Sequence, residues 1–396
     1  MSQFDNCPNR VGTFSYKWAR SPYKINPNVP AHKHWCADMD FRCPEPILAA
    51  LREEIERGIM GYGCTPDDLM KIIADYLSKQ DWEDITEEYL NKHLIFSPGV
   101  VAGIGLLLHV LTKEGDAIMF NTPSYPHFFD TVAENKRKVV NNKMKCVDGK
   151  WIIDFEDFEK KIVEEQVKAF ILCSPHNPTG RVFDREELEK IVEICRKYNV
   201  LIISDEIHCD LVVSEKKHIH TATLPNAKEI TITMLAPSKT YNVPGLSLAF
   251  MIVNDDEMWK KIDEYACGLS VSFGSLLGFI GMRAAYSGEC ADWLKECLEY
   301  LRGNYQFIED YCKEKLPSIT LTKPEATYLL WMDFSKYGIT TEEIDKLLAE
   351  RGVVFNQGPS FGEGFELYRR FNIATSRQEI KTVMDLLYDA FKQYEK

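Results

Sequence analysis

Six short apolar runs constrain the fold of this chain more than any other feature: Leu94–Ser97, Ala117–Phe120, Ala169–Cys173, Val200–Ser204, Ile230–Leu235 and Leu248–Val253. Several are continuously apolar rather than alternating, so both faces of the strand must be covered. Segments of helical spacing stand between them. Pro44 and Pro46 open one helix, with Ile47, Leu48, Leu51 and Ile55 on one face and Gly58 behind it. Thr65 and Pro66 open another, with Leu69, Ile72, Ile73, Tyr76 and Leu77 at helical intervals. Asp184 with Glu187, and Ser376 with Glu379, have the spacing of capping boxes. Strand and helix in alternation predict an α/β fold, a mostly parallel sheet between helical layers.

The 396 residues are 45% hydrophobic and 27% charged, enough for two or three domains with a sizeable core. Residues 45–285 hold the six runs and form the expected large domain. Residues 286–396 are helix-rich, with isolated strands at Tyr328–Phe334 and Arg370–Ala374, and predict a smaller α+β domain. Residues 1–44 form an N-terminal arm that joins it. A net charge of −13 disfavours nucleic acid and anionic membrane as partners. The longest apolar run, Val100–Leu111, contains His109 and falls short of the about 20 residues a bilayer needs. It predicts a buried helix. The first residues lack the apolar stretch of a signal peptide. Twelve cysteines, none in a CxxC pair, are expected as reduced core thiols in the cytoplasm. His32 and His34 near Cys36 lack a fourth ligand, so no metal site is expected there.

In open α/β sheets, ligands gather beyond the carboxyl ends of the strands. Five ends carry small, polar or ionisable residues: Ser97-Pro98-Gly99-Val100-Val101, Asn121-Thr122-Pro123-Ser124-Tyr125, Ser174 to Gly180, Ser204 to His208, and Ala236 to Thr240. Lys239 is either a solvated turn lysine or an amine that burial makes nucleophilic enough to form an imine with a carbonyl cofactor. Asp205 is either a helix cap or the partner of a protonated pyridine nitrogen. Asn177 is either a turn residue before proline or a donor to a ring oxygen. Gly99, Val100 and Val101 open a helix whose free N–H groups suit a phosphate. Tyr125 either stacks on a flat ring or packs between its prolines. No G-x-G-x-x-G follows a strand, and no P-loop, HExxH or GxSxG is present, which argues against a nicotinamide dehydrogenase.

Together, SPHNPTG (Ser174–Gly180), SDEIH (Ser204–His208) and APSKTYNVPGL (Ala236–Leu246) resemble the fold-type I pyridoxal-phosphate enzymes of the aspartate aminotransferase superfamily. The resemblance runs from ADMDF (Ala37–Phe41) through GYG (Gly61–Gly63) to RRFNIATSR (Arg369–Arg377). ADMDF, SDEIHCDL and APSKTYN are most similar to the MalY/PatB-type branch of cystathionine β-lyases and related C–S lyases.

The resemblance implies an aspartate aminotransferase-like fold, with a mostly parallel seven-stranded sheet, helices on both faces and a smaller α+β domain. It implies pyridoxal 5'-phosphate as cofactor and an amino acid as small-molecule substrate. Lys239 would carry the imine and shuttle protons, Asp205 would pair with the ring nitrogen, Asn177 would bond the phenolic oxygen and Tyr125 would stack on the ring. Gly99, Val100, Val101 and Ser238 would hold the phosphate, and Arg370 the substrate carboxylate. Tyr62 would reach the neighbouring subunit's phosphate, making the enzyme a homodimer with shared sites. Three positions depart from the aminotransferase pattern and are shared by the lyase branch. His208 replaces a tyrosine, Ala236 a phosphate-binding serine, and Ser247 an arginine. His208 is left as either a phenolic-oxygen partner or a satisfied structural histidine. The implied activity is β-cleavage of cystathionine or a cysteine S-conjugate to a thiol, pyruvate and ammonia. The alternatives are an aminotransferase and, less favoured, a regulatory binding protein.

Overall fold

The computed structural model describes residues 2–395. Its central sheet has seven strands: β1 (Leu94–Ser97), β2 (Ala117–Thr122), β3 (Lys138–Lys143), β4 (Ala169–Cys173), β5 (Leu201–Asp205), β6 (Thr231–Leu235) and β7 (Ala249–Val253). Their spatial order is β1-β7-β6-β5-β4-β2-β3. Only β7 runs against its two neighbours; the remaining pairs are parallel. All six predicted strands are present, and β1, β2, β4, β6 and β7 are buried throughout, as continuous apolar runs require.

The sequence pattern missed β3. It is an edge strand of sequence KVVNNK, with its charged residues outward. Its buried Asn142 is satisfied by side-chain bonds: it donates to Asp157 Oδ2 (2.8 Å) and accepts from Asn121 Nδ2 (2.8 Å). In the middle of the sheet, Asp205 stands in register with Cys173 on one side and Met234 on the other. This row sets the carboxyl edge. Because β7 is antiparallel, it enters at the same edge, bringing Ser247 and Leu248 there.

A second sheet is antiparallel: β8 (Thr320–Leu321), β9 (Leu329–Asp333), β10 (Asn356–Gln357) and β11 (Tyr368–Asn372), in the order β8-β9-β11-β10. Helices Ala291–Lys315 and Arg377–Phe391 pack with it in one apolar core, which also takes in Phe4, Met39 and Phe41. Among the described residues, no helix is long and apolar enough to cross a membrane.

Three local expectations are corrected. The helix Glu45–Arg57 buries Ile47, but Ile55 is 56% exposed, so its apolar face is only partly covered. The capping box forms at Asp184 and Glu187 but only half forms at Ser376. There Ser376 accepts the Glu379 N–H, while the Glu379 carboxylate is drawn away to His32 Nδ1 (2.8 Å) and His34 Nε2 (3.3 Å). All twelve cysteines are free; six are buried, whereas Cys64, Cys146 and Cys267 are exposed rather than core residues.

The N-terminal segment docks through a parallel pairing of His32–Lys33 with Val353–Val354. The close approach depends on Gly352, at φ +72°, where an added Cβ would lie 2.1 Å from the Pro30 carbonyl oxygen. Gly352→Ala is therefore expected to cost at least about 1 kcal/mol. A lowered thermal unfolding midpoint checks this; an unchanged midpoint would show that the approach of Pro30 to Gly352 is not tight enough to exclude a Cβ.

Candidate active site

A cavity of about 480 Å³ opens at the carboxyl edge of the large sheet. Its wall comes from the segments that follow β1, β2, β4, β5 and β6, together with Ala37 from the N-terminal segment. Gly99, Val100, Val101, Tyr125, Asn177, Asp205, His208, Ser238 and Lys239 all line it. Two predicted residues do not. Tyr62 is fully exposed on the surface, and Arg370 sits buried behind Asn177.

Asp205 ends β5 and is 5% exposed. Its Oδ1 accepts the Ile207 N–H at 3.2 Å, and among the described residues it has no ion pair. Burial raises its pKa from 3.8 to about 7, only partly opposed by that N–H and by the charge of Lys239. Lys239 follows β6. Its Nζ donates to the Ala37 carbonyl at 2.7 Å, and the buried Tyr328 hydroxyl donates to the same oxygen at 3.0 Å. Desolvation lowers the Lys239 pKa, favouring the neutral, nucleophilic amine. Lys239 is therefore no solvated turn residue.

Arg369 and Arg370 are neighbours on β11 with opposite circumstances. Arg369 is ion-paired to Asp345 at 2.6 Å. Arg370 is equally buried, yet among the described residues no carboxylate pairs with it. Its Nη1 donates to Asn177 Oδ1 (3.1 Å), its Nη2 donates to the Trp35 carbonyl (2.8 Å), and its Nε has no partner. A buried, unpaired guanidinium calls for an anion. The bond also orients Asn177: its oxygen faces Arg370, which leaves its NH2 as the donor toward the cavity.

His208 is buried, and its Nδ1 has no hydrogen-bond partner. Burial, with Lys239 and Arg370 nearby, lowers its pKa to about 3, so the ring is neutral. Burial pushes Tyr125 up to about 12, keeping the phenol protonated. The helix Val100–Leu111 starts at Gly99 without a side-chain cap, so its first N–H groups remain available to an anion. Ala236 and Ser247, two of the departures, also line the cavity.

These features fit pyridoxal 5'-phosphate: an uncapped helix start for the phosphate, a carboxyl lacking a cation for the ring nitrogen, donors at Asn177 and an unsatisfied His208 for the ring oxygen, and an amine for the carbonyl. Sequence reasoning did not assign the Ala37 carbonyl or Tyr328. A backbone carbonyl has no residue signature, although Ala37 opens the ADMDF segment. It also missed a cluster of buried Glu206 and His220 with half-buried His218, whose ligand-type atoms lie within 4.8 Å of one another. Its signal was the i, i+2 spacing of the two histidines.

Residues 37–387 match the family model described as aminotransferase class I and II. The chain is 35% identical to cystathionine beta-lyase PatB of Bacillus subtilis, covering 94% of this chain and 95% of PatB. Among solved structures, cystalysin from Treponema denticola, which contains pyridoxal 5'-phosphate, superposes with a TM-score of 0.92 at 27% identity over 99% of both chains. A pyridoxal-phosphate-bound C–S lyase from Staphylococcus hominis gives a TM-score of 0.88 at 30% identity over 98% of this chain and 97% of its own. The chain belongs to the aminotransferase class I and II family of pyridoxal 5'-phosphate-dependent enzymes.

Proposed function

We propose that this chain is a β-C–S lyase that cleaves cystathionine or a cysteine S-conjugate to a thiol, pyruvate and ammonia. The observation that carries this is the joint placement of His208, Ala236 and Ser247 in the wall of the cavity that holds Lys239 and Asp205. The PatB and Staphylococcus hominis relatives, whose names state this chemistry, support it. An aminotransferase is the second reading, since it would use the same amine, carboxyl and guanidinium.

Bound at Lys239, the cofactor supplies an electron sink for the pair left on Cα when its proton is removed. The chain does the rest. Arg370, without a carboxylate of its own, receives the substrate carboxylate through its planar fork. Lys239 Nζ, with its basicity lowered by burial, takes the Cα proton. Asp205 would hold a positive charge on the ring nitrogen, and neutral His208 and Asn177 would bond the ring oxygen. The pair left on Cα would then form a bond to Cβ as the Cβ–S bond breaks, the sulfur leaving as a thiolate, and water would complete the release of pyruvate and ammonia.

We further assign the chain to a homodimer in the cytoplasm, with the boundaries 1–44, 45–285 and 286–396. Exposed Ile59, Met60 and Tyr62, on one segment, support a contact between copies, and twelve free thiols support a reducing compartment. Tyr62 is placed by this reading at the partner's phosphate.

Pyruvate should appear from cystathionine with no keto acid added. Turnover that strictly requires a keto-acid acceptor would decide for the aminotransferase. Borohydride treatment of the loaded protein should fix the cofactor's mass to the peptide containing Lys239, and Lys239→Ala should abolish turnover while the fold survives.

Asp205 also gives a pH signature. Between about pH 4 and about 7 the folded, cofactor-stripped protein holds a proton that the unfolded chain has released. This group's contribution to stability therefore falls as pH rises through that window. Asp205→Asn should remove that component from the unfolding midpoints of the stripped protein. Identical pH slopes in the two proteins would refute the unpaired-carboxyl assignment.

A further inference from the structure

The residues that follow Asp205 and Lys239 lead away from the cavity into one polar chain. Glu206 is fully buried. Its Oε1 accepts from Ser204 Oγ (2.7 Å) and the Thr221 N–H (3.0 Å), while its Oε2 lies 2.5 Å from His220 Nδ1 and 3.0 Å from His218 Nε2. On the other side, buried Thr240 donates from Oγ1 to Asp210 Oδ2 at 2.8 Å. Asp210 lies on the same segment as Glu206, so this bond joins the two segments directly, and Gln80 ties Asp210 back to the His220 that holds Glu206. Gln80 Nε2 donates to Asp210 Oδ1 at 2.7 Å, and its Oε1 lies 2.9 Å from His220 Nε2.

Donor chemistry fixes the direction of these bonds. The Asp210 carboxylate only accepts, so the Gln80 NH2 must face it. The Gln80 carbonyl then requires a donor, and His220 Nε2–H supplies it. His220 thus donates from both ring nitrogens, and Glu206–His220–Gln80–Asp210–Thr240 is unbroken. The Tyr76 hydroxyl adds a further donor to Asp210, and the Trp82 ring packs 5.0 Å from the His220 ring. A buried polar chain adds little to stability that apolar packing would not, yet it fixes geometry. Gln80, from the turn after helix Leu69–Ser78, has no other bond to the segments it joins.

We propose that this chain of hydrogen bonds sets the spacing of Asp205 and Lys239, and that His220, Gln80 and Thr240 are positioning residues for the reaction. The proposal rests on the roles given above to Asp205 and Lys239. A fixed link between the two segments matters because misplacement of a reacting group by about 1 Å can cost roughly a hundredfold in rate.

The test compares Thr240→Val, Thr240→Ser and Gln80→Leu in the cofactor-loaded protein. Three readouts are taken: cofactor stoichiometry, the pH midpoint of the bound cofactor's visible absorption, and kcat separately from KM for pyruvate release. Thr240→Val and Gln80→Leu should retain stoichiometric cofactor, shift the absorption midpoint and lower kcat about tenfold or more with little change in KM. Thr240→Ser, which keeps the hydroxyl, should restore both properties. Unshifted midpoints and kcat in folded Thr240→Val and Gln80→Leu would overturn the proposal, as would equal losses in Thr240→Val and Thr240→Ser. Should one of the two fail to fold, the other decides alone. Absence of any visible band in the unaltered protein would overturn the site assignment itself, a result distinct from a band that forms and does not shift.

Discussion

Two pairs of adjacent charged residues, Asp205 with Glu206 and Arg369 with Arg370, set the chemistry of this molecule. In each pair, one member is neutralised inside the protein and the other is withheld from any internal partner. Glu206 is held by His220 and His218, which more than offset its burial and keep its carboxyl well below the usual range. Arg369 is held by Asp345. Asp205 and Arg370 have no such partner among the described residues. Burying an ionisable group without a partner is costly, whether the charge is kept, as at Arg370, or a proton is held, as at Asp205, so it persists only where the surrounding structure is rigid enough to sustain it. The sheet supplies that rigidity. Asp205 is bracketed in register by β4 and β6, and Arg370 by β9 and β10.

That arrangement explains why so much of the fold was legible in the sequence. A parallel strand buried on both faces must be apolar along its whole length, so six runs were visible without any structural information. β3 escaped because an edge strand has one solvated side and its buried Asn142 reads as polar. The Ser376 and Glu379 spacing misled for a different reason. A capping box is a local bond, and two histidines more than 300 residues away in sequence, His32 and His34, compete for the same carboxylate.

The cavity was legible to the extent that its groups are side chains at strand ends. Nine of the predicted residues meet there. What remained hidden comes from long-range packing. The Ala37 carbonyl that receives Lys239 reveals itself through no residue type. The residue types of RRF do not by themselves say which arginine is free; the resemblance pointed to Arg370, and the placement of Asp345 against Arg369 leaves Arg370 without a carboxylate among the described residues. His208 was ambiguous because a histidine after a strand serves structure or chemistry equally well; its Nδ1 is buried without a partner among the described residues.

The cavity is also a joint between the two sheets. Asp205 ends β5 and Lys239 follows β6 of the large sheet, whereas Arg370 lies on β11 and Tyr328 directly precedes β9. Asn177 bonds Arg370 across that boundary, and the Ala37 carbonyl joins Lys239 to Tyr328. Neither sheet alone assembles the guanidinium and the amine in one place. The N-terminal segment completes the joint by pairing with Val353–Val354 while presenting Trp35 to Arg370 and Ala37 to Lys239. The placement of the substrate carboxylate relative to the amine is thus governed by how the small sheet and this segment seat against the large one. Substitutions at that seam will act on the positioning of substrate before they act on the amine itself.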